Sequence, residues 1–191
     1  MQTPIYEQIL SRCVLALFTL SLLVSAARGV SADAALAQTC AACHGKDGIS
    51  ESDLWPNLAG QKEGYLSNAI RQFRDGARVE PTMQPFVQAL TEDEIDSLAA
   101  HYSNLAPQSL RRKKVNKAGE HVRAYCISCH GMDGAPVNTE WPILTGQKSA
   151  YLEKQLLAFK SGSRQGPIMN VIARELTDQQ IRDVAEYYSL R

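Results

Sequence analysis

Apolar residues recur at helical spacing in four segments of the chain, and these segments form two similar pairs. The pattern predicts one pair of helices from about Lys62 to Asp75 and from Ser149 to Ser161, each followed by a glycine that ends it. The second pair begins at Thr91 and Thr177, where the threonine and the Glu or Gln three residues later form a capping box. The apolar positions are Tyr65, Leu66, Ala69, Ile70, Phe73, Ile95, Leu98, Ala99, Tyr102, Tyr151, Leu152, Leu156, Phe159, Ile181, Val184, Ala185 and Tyr188. These stripes predict an all-α fold.

The chain contains an internal repeat. A shift of 86 positions superposes residues 40–104 on residues 126–190 without a gap, and 25 of the 65 positions are identical. Shorter helices are predicted over residues 34–39 and 118–125, and the glycine- and proline-containing stretches after them are predicted to be non-helical. The repeat indicates a tandem duplication, with a first domain over residues 33–104, a linker over residues 105–119 and a second domain over residues 120–191.

The first 32 residues are typical of a secretory signal peptide. Arg12 precedes an apolar run over residues 13–24, and Val30-Ser31-Ala32 provides a small-residue cleavage site. The alternative is a retained membrane anchor, but the run of 12 residues is shorter than the ~20 that a spanning helix needs. Cleavage removes Cys13 and leaves four of the five cysteines. We therefore expect a periplasmic protein.

Charge is balanced overall but unevenly distributed. Residues 33–104 contain 5 Lys/Arg and 11 Asp/Glu, whereas residues 105–119 contain five basic residues and no acidic one. The basic segment is either a solvated linker or a site that attracts an acidic partner or an anionic membrane surface, which would give peripheral membrane association. A nucleic-acid partner is not expected for an exported protein.

The sequences CAACH at residues 40–44 and CISCH at residues 126–130 have the spacing of c-type haem attachment motifs. Two thiols three positions apart can add to the two vinyl groups of a haem, and the following histidine can coordinate the iron. The predicted attachment residues are Cys40, Cys43, His44, Cys126, Cys129 and His130. The chain is therefore expected to hold two covalently bound haem c groups.

The second axial ligand of each iron decides between electron transfer and catalysis at an open position. Met83 and Met169 match under the repeat, and both are predicted to lie in proline-containing loops ahead of the last helix of their domain. We predict that these thioethers are the second iron ligands, and thioether ligation favours reduced iron. The alternative is that the two methionines only fill gaps in the core. His101 is the competing ligand in the first domain, but neither it nor His121 has a repeat partner, and both are predicted to be surface or structural histidines.

Groups around the haem are also suggested by the repeat. A histidine ligand commonly donates its second ring N–H to a carbonyl, and a carbonyl near Pro56 or Pro142 is the candidate. Paired polar side chains are candidates either for holding haem propionates or for purely structural roles. They are Arg78 and Arg164, Gln61 and Gln147, and the indoles of Trp55 and Trp141.

The order of these motifs resembles the cytochrome c4 family of dihaem cytochromes, from about Ala35 to Leu190. The resemblance is carried by the two CxxCHG motifs, by WPNLAGQK and WPILTGQK, and by PTMQPFVQALTEDEIDSLAAHY with its second-repeat counterpart. It implies two class I cytochrome c domains related by pseudo-twofold symmetry, with haem propionates meeting at their interface. It also implies that His44 with Met83, and His130 with Met169, ligate the two irons of a periplasmic electron carrier that is often membrane-associated.

Three functions are compatible with the sequence. The leading hypothesis is a dihaem electron carrier, not an enzyme and without catalytic residues, between an upstream quinol- or substrate-oxidising complex and a downstream terminal oxidase. The alternative is the electron-transfer subunit of a periplasmic dehydrogenase that oxidises sulfur compounds or alcohols. The third is a dihaem peroxidase, which the matching methionines of the two domains argue against, since a peroxidase needs an iron that can open.

Overall fold

The computed structural model describes residues 32–108 and 116–191, and within these ranges the fold is built from helices joined by loops. The first repeat contains α1 (Ala32–His44), α2 (Glu63–Arg74), α3 (Gln84–Val87) and α4 (Glu92–Ser103). The second repeat contains α5 (Lys117–Val122), a 3-10 turn (Arg123–Tyr125), α6 (Ile127–His130), α7 (Ser149–Ser161), α8 (Pro167–Glu175) and α9 (Asp178–Ser189). The predicted all-α fold is confirmed.

The segment from Leu36 to Arg191 forms one compact unit that includes both repeats. Within the described ranges, β-pairing is limited to an isolated antiparallel bridge, which joins Arg78 of the first repeat to Arg164 of the second. In the same ranges no helix has the length and apolar character needed to cross a membrane. The predicted signal peptide, apart from Ala32, and the basic residues 111–114 lie outside the described residues.

The predicted helix ends agree closely with the structure. The helix predicted over residues 149–161 is α7, and the helix predicted from about Lys62 to Asp75 is α2, one residue shorter at each end. Both capping boxes are present: the Glu94 N–H donates to Thr91 Oγ1 at 3.3 Å, and the Gln180 N–H donates to Thr177 Oγ1 at 3.2 Å. These bonds satisfy backbone donors that a helix N-terminus leaves unpaired.

Each repeat has its own apolar core, formed where its last helix packs on an earlier helix of the same repeat. In the first repeat α4 packs on α2, and in the second α9 packs on α7 and α5. The buried core residues of the first repeat include Ala37, Leu66, Leu98, Ala99 and Tyr102; those of the second include Val122, Leu152, Leu176, Ile181, Val184, Ala185, Tyr187 and Tyr188. The predicted apolar stripes therefore do face the cores.

The helices that lead into the two haem motifs differ. In the first repeat, α1 runs without a break to His44, whereas the corresponding segment of the second repeat is divided into α5, the 3-10 turn and α6. Gly119 explains how α5 lies so close to α9, because a side chain at this position would meet the Asp183 carbonyl and, at 2.7 Å, the Tyr187 Cβ. Only glycine permits this approach.

We predict that Gly119→Ala lowers the free energy of unfolding of the haem-loaded protein by about 1–3 kcal/mol, because the added methyl group meets backbone that cannot move aside. Denaturant unfolding followed by circular dichroism measures the effect. Ala118→Ser is the control, since Ala118 is exposed on the same helix and its replacement should change stability by less than about 0.5 kcal/mol. Equal losses in the two variants would contradict the close packing of α5 on α9.

Candidate haem sites

The histidine of each haem motif is held by a proline carbonyl. α1 ends at His44, and Gly45, with φ of 80°, turns the chain into a loop that returns to Pro56. The distance between His44 Nδ1 and the Pro56 carbonyl oxygen is 2.9 Å, and the equivalent distance from His130 Nδ1 to the Pro142 oxygen is 3.0 Å. The predicted carbonyl partners are confirmed, and with Nδ1 donating, Nε2 is left as the nitrogen that can bind a metal.

Both histidines are buried, with only 6% of His44 and 7% of His130 exposed. Burial lowers the pKa of each imidazole because the cation loses hydration, and the bond to the proline carbonyl acts in the opposite direction. The net effect keeps both rings neutral at physiological pH. A neutral imidazole is the form that coordinates iron.

All eight predicted site residues line one continuous cavity of about 610 Å³, whose walls include side chains from both repeats. They are Cys40, Cys43, His44, Met83, Cys126, Cys129, His130 and Met169. The competing candidates His101 and His121 are both exposed and are not among the residues that line the cavity. The structure therefore brings together the residues that the repeat paired.

The four cysteines of the motifs are unpaired and half-buried. Burial is the largest influence on the Cys40 and Cys126 thiols; it raises the pKa of Cys40 and raises that of Cys126 to about 11. The Cys40 and Cys126 side chains are therefore protonated thiols at neutral pH. An S–H group is what adds across a vinyl double bond to form a thioether, so the thiols fit covalent haem attachment.

The two methionines reach the cavity from different backbone structures. Met83 lies at the N-terminal boundary of the short helix α3, in a turn, as predicted. The prediction of a loop is wrong for Met169, which lies inside α8. Pro167 favours a helix start here, and Asn170 stabilises it, since its Oδ1 accepts from the Gly166 N–H at 2.8 Å and its Nδ2 donates to two carbonyls. The first repeat has Gln84 in the place of Asn170.

A cluster of arginine and tyrosine side chains lies between the repeats at the cavity. Arg78 donates to Tyr151 Oη at 2.9 Å and to Gln155 Oε1 at 2.7 Å. Arg164 donates to the same Gln155 oxygen at 2.8 Å and to Tyr65 Oη at 3.4 Å. Each guanidinium thus donates to a tyrosine of the opposite repeat, and both guanidinium groups share Gln155 Oε1. Sequence reasoning missed Gln155, because its repeat counterpart is Ala69.

This arginine–tyrosine cluster carries positive charge without a carboxylate. Among the described residues neither guanidinium forms an ion pair, and the buried Arg164 Nε has no hydrogen-bond partner. Burial by itself raises the pKa of the Tyr65 phenol, yet the charges of Arg164 and Arg78 lower that pKa to about 7. An unpaired buried N–H and a strong positive field both fit an anionic group in the cavity.

Of the two roles considered for Gln61 and Gln147, holding propionates or a purely structural role, the structure supports the structural one. Each side chain is 7% exposed, and both its amide nitrogen and its oxygen are bonded to backbone groups. Trp55 and Trp141 do line the cavity, where their role with propionates stays a prediction. Together the thiols, neutral histidines, methionines and positive cluster fit two c-type haem groups.

Comparison with known proteins finds a family model that matches each repeat. Residues 28–101 match the family model for cytochrome c oxidase, cbb3-type, subunit III, and residues 116–189 match the model for cytochrome c. The chain is 33% identical over 189 residues to cytochrome c4 of Pseudomonas aeruginosa, covering 90% of this chain and 94% of the relative. It is 34% identical over 170 residues to the thiosulfate dehydrogenase electron acceptor of Stutzerimonas stutzeri, covering 80% of this chain and 79% of the relative.

Solved structures resemble the fold across most of its length. Cytochrome c4 of Acidithiobacillus ferrooxidans superposes with a TM-score of 0.73 at 30% identity, covering 81% of this chain and 99% of that one. A thiosulfate dehydrogenase from Marichromatium purpuratum superposes with a TM-score of 0.73 at 34% identity, covering 80% of this chain and 36% of that longer one.

We predict that Asn170→Ala lowers the free energy of unfolding by about 1–3 kcal/mol, because it removes the hydrogen bonds of this side chain to the Gly166 N–H and to two carbonyls ahead of α8. The measurement is denaturant unfolding of the haem-loaded protein. The matched control is Gln84→Ala at the equivalent position of the first repeat, which is expected to change stability by less than about 0.5 kcal/mol. If Asn170→Ala costs no more than Gln84→Ala, the Asn170 bonds do not stabilise α8.

Proposed function

The chain belongs to the cytochrome c4 family of dihaem class I c-type cytochromes, and from this premise we propose how its own residues hold the two haem groups. As a family member it is an electron-transfer protein with two covalently bound haem c groups. In the proposal, Cys40 and Cys43 would form the thioether bonds of the first haem, and His44 and Met83 would ligate its iron. Cys126, Cys129, His130 and Met169 have the same roles for the second haem.

One observation carries this assignment: each motif histidine is fixed through Nδ1 by a proline carbonyl and shares a cavity with the repeat-matched methionine. With Nδ1 bonded to the carbonyl, the ring would be held with Nε2 oriented to bind the iron. When bound, each haem supplies reversible one-electron chemistry at its iron. Thioether ligation favours the reduced state, as suits a carrier that accepts electrons readily.

The arginine–tyrosine cluster is proposed to hold haem carboxylates between the two domains. Arg78 and Arg164 reach it from opposite repeats, and the unpaired Arg164 Nε is a free donor at the cavity. A charge-assisted hydrogen bond to a carboxylate would satisfy that nitrogen. The cluster would then hold haem carboxylates with side chains from both domains.

The proposed setting is the periplasm, and the proposed domains are residues 33–104 and 120–191, joined by the basic segment of residues 105–119. Redox proteins are the partners. Two curated relatives are thiosulfate dehydrogenase electron acceptors, each 34% identical to this chain. We propose that the upstream donor is an enzyme that oxidises a sulfur compound, and that the downstream acceptor is a terminal oxidase.

A second candidate is a permanent subunit of the dehydrogenase itself. It is favoured by the likeness to the Marichromatium purpuratum thiosulfate dehydrogenase, in which a domain pair like this one occupies 36% of a longer chain. The two candidates differ in whether the complex dissociates between electron transfers.

We predict that Met83→Leu and Met169→Leu each remove roughly half of the methionine–iron(III) charge-transfer absorption of the oxidised protein, and that each lowers one of the two reduction potentials, because a thioether ligand is lost. Optical redox titration measures both effects. The control is Met132→Leu, since Met132 is 62% exposed and lies away from the cavity wall. A full-intensity band in either cavity variant would reject that methionine as a ligand.

We predict that a purified thiosulfate dehydrogenase reduces this protein in the presence of thiosulfate, at a rate comparable to the turnover of the enzyme. About two electrons are taken up per chain, one at each haem. Stopped-flow absorption measures the rate, and size-exclusion chromatography of the mixture separates the two candidates. A dissociable complex supports the free carrier, whereas co-elution at micromolar concentration supports the subunit. Failure of the enzyme to reduce the chain would refute a sulfur-compound donor.

A further inference from the structure

The peptide groups that follow Pro56 and Pro142 are hydrogen-bonded at both ends. The Pro56 carbonyl faces His44 Nδ1 at 2.9 Å, and the N–H of the same peptide group, on Asn57, donates to Gln147 Oε1 at 2.8 Å. In the second repeat the Pro142 carbonyl faces His130, and the Ile143 N–H donates to Gln61 Oε1 at 2.8 Å. Each histidine is thus connected through one peptide group to a glutamine of the opposite repeat.

The glutamine orientations are fixed by further bonds. Gln147 Nε2 donates to the Asn57 carbonyl at 2.9 Å, and Gln61 Nε2 donates to the Ile143 carbonyl at 3.0 Å. The oxygen of each glutamine also accepts the N–H of the next residue, Lys62 or Lys148, at 2.9 Å. Each amide therefore pairs with the opposite backbone as a neighbouring β-strand would, and its oxygen and nitrogen cannot be exchanged.

Hydrogen bonds connected through one peptide group strengthen one another. When an acceptor binds the N–H of an amide, more negative charge moves onto its carbonyl oxygen, and a bond accepted there strengthens by roughly 10–30%. Because both glutamines are buried with only 7% of their surface exposed, water does not screen this polarisation. A stronger acceptor at Nδ1 gives the imidazole more electron density to donate to a metal at Nε2.

We propose that each glutamine tunes the iron of the other domain: Gln147 acts on the iron at His44, and Gln61 acts on the iron at His130. Both are positioning residues that act through a peptide group and touch neither haem ligand. The proposal rests on the histidine assignments given above. It makes the two reduction potentials depend on the domain contact itself, so that each haem responds to the opposite domain.

The sign of the effect separates this mechanism from a simple opening of the interface. Removing the glutamine oxygen weakens the carbonyl as an acceptor, so the histidine donates less electron density and the reduction potential rises. Water entering a loosened interface does the opposite, because water stabilises the more highly charged oxidised iron and lowers the potential. The first effect is confined to one haem, whereas loosening of the shared contact acts on both.

Asn57 offers a matched control at the same peptide group. Its side chain donates to the Gly146 carbonyl at 2.9 Å across the domain contact and accepts from the Ser50 N–H at 3.0 Å. The counterpart of Asn57 in the second repeat is Ile143. Asn57→Ile therefore removes a cross-domain hydrogen bond from the same residue while its backbone N–H stays available to Gln147.

The test is optical redox titration of the haem-loaded full chain carrying Gln147→Leu or Gln61→Leu. In Gln147→Leu we expect the equilibrium constant for reduction of the haem at His44 to rise about threefold. At 59 mV per tenfold, this corresponds to an increase of about 30 mV in its reduction potential. The potential of the haem at His130 stays within the error. Gln61→Leu gives the reverse pattern. Met83→Leu and Met169→Leu, each of which moves one potential, assign the two waves.

A second readout follows the histidine itself. The His44 Nδ1–H proton resonance of the reduced protein moves upfield in Gln147→Leu, because its hydrogen bond is weaker, and stays in place in Asn57→Ile. If Gln147→Leu fails to load haem, Gln61→Leu serves instead: the His130 Nδ1–H resonance then moves upfield, because the Pro142 carbonyl has become the weaker acceptor.

Three results would overturn the proposal: equal shifts of both potentials in a single variant, a lowered potential in Gln147→Leu, or the same shift in Asn57→Ile as in Gln147→Leu. A failure of the methionine assignment is distinguishable from these, because it appears as a full charge-transfer band in the methionine variants and leaves the Nδ1–H resonance unaffected.

Discussion

The hydrogen bond between each motif histidine and a proline carbonyl constrains both the metal site and the contact between the domains. A proline at this point has no N–H to compete for partners, and its carbonyl is held about 3 Å from the imidazole Nδ1. The next N–H in the chain belongs to the same peptide group, and it is bonded to a glutamine of the opposite repeat. The loop that orients the proposed iron ligand is therefore the same loop that joins the two domains.

The contact between the two domains is reciprocal because the repeats match at several polar positions, but it is not symmetric because they differ at others. The two glutamines and the two arginines are retained at matching positions, so each domain both gives and receives the same bonds. Asn57 adds side-chain hydrogen bonds where Ile143 has none. Gln155, which stands where the first repeat has Ala69, supplies a single oxygen that both arginines share. Two nearly identical haem sites thus lie in different polar surroundings, which is a physical basis for different potentials.

The arginine–tyrosine cluster carries positive charge that no carboxylate among the described residues balances. Burying two guanidinium groups without a carboxylate costs free energy, and the buried Arg164 Nε has no partner among the described residues. The phenols and Gln155 satisfy part of this demand, and the flanking rings of Phe73 and Phe159 lie 4.3 and 4.4 Å from the guanidinium carbons. The remaining demand is for negative charge, which haem carboxylates would supply in the proposed arrangement.

Much of the fold and of the candidate site can be predicted from the sequence. The haem motifs, the duplication, the α2 and α7 helices and both capping boxes depend on spacings of three or four residues or on identity between repeats, and such local patterns can be read directly. The proline carbonyl partners could also be predicted, because a metal-binding histidine needs an acceptor and the repeat retained only a few candidates.

The tertiary structure alone decided the rest. The pairing of Gln61 with Ile143 and of Gln147 with Asn57 joins residues that are 82 and 90 positions apart, and no periodicity links them; they meet only because the two domains pack face to face. Met169 lies in a helix because the Asn170 side chain satisfies backbone groups from outside α8, which propensity does not reveal. Local order in this chain follows from short-range pattern, whereas the connection between its two haem sites follows from packing.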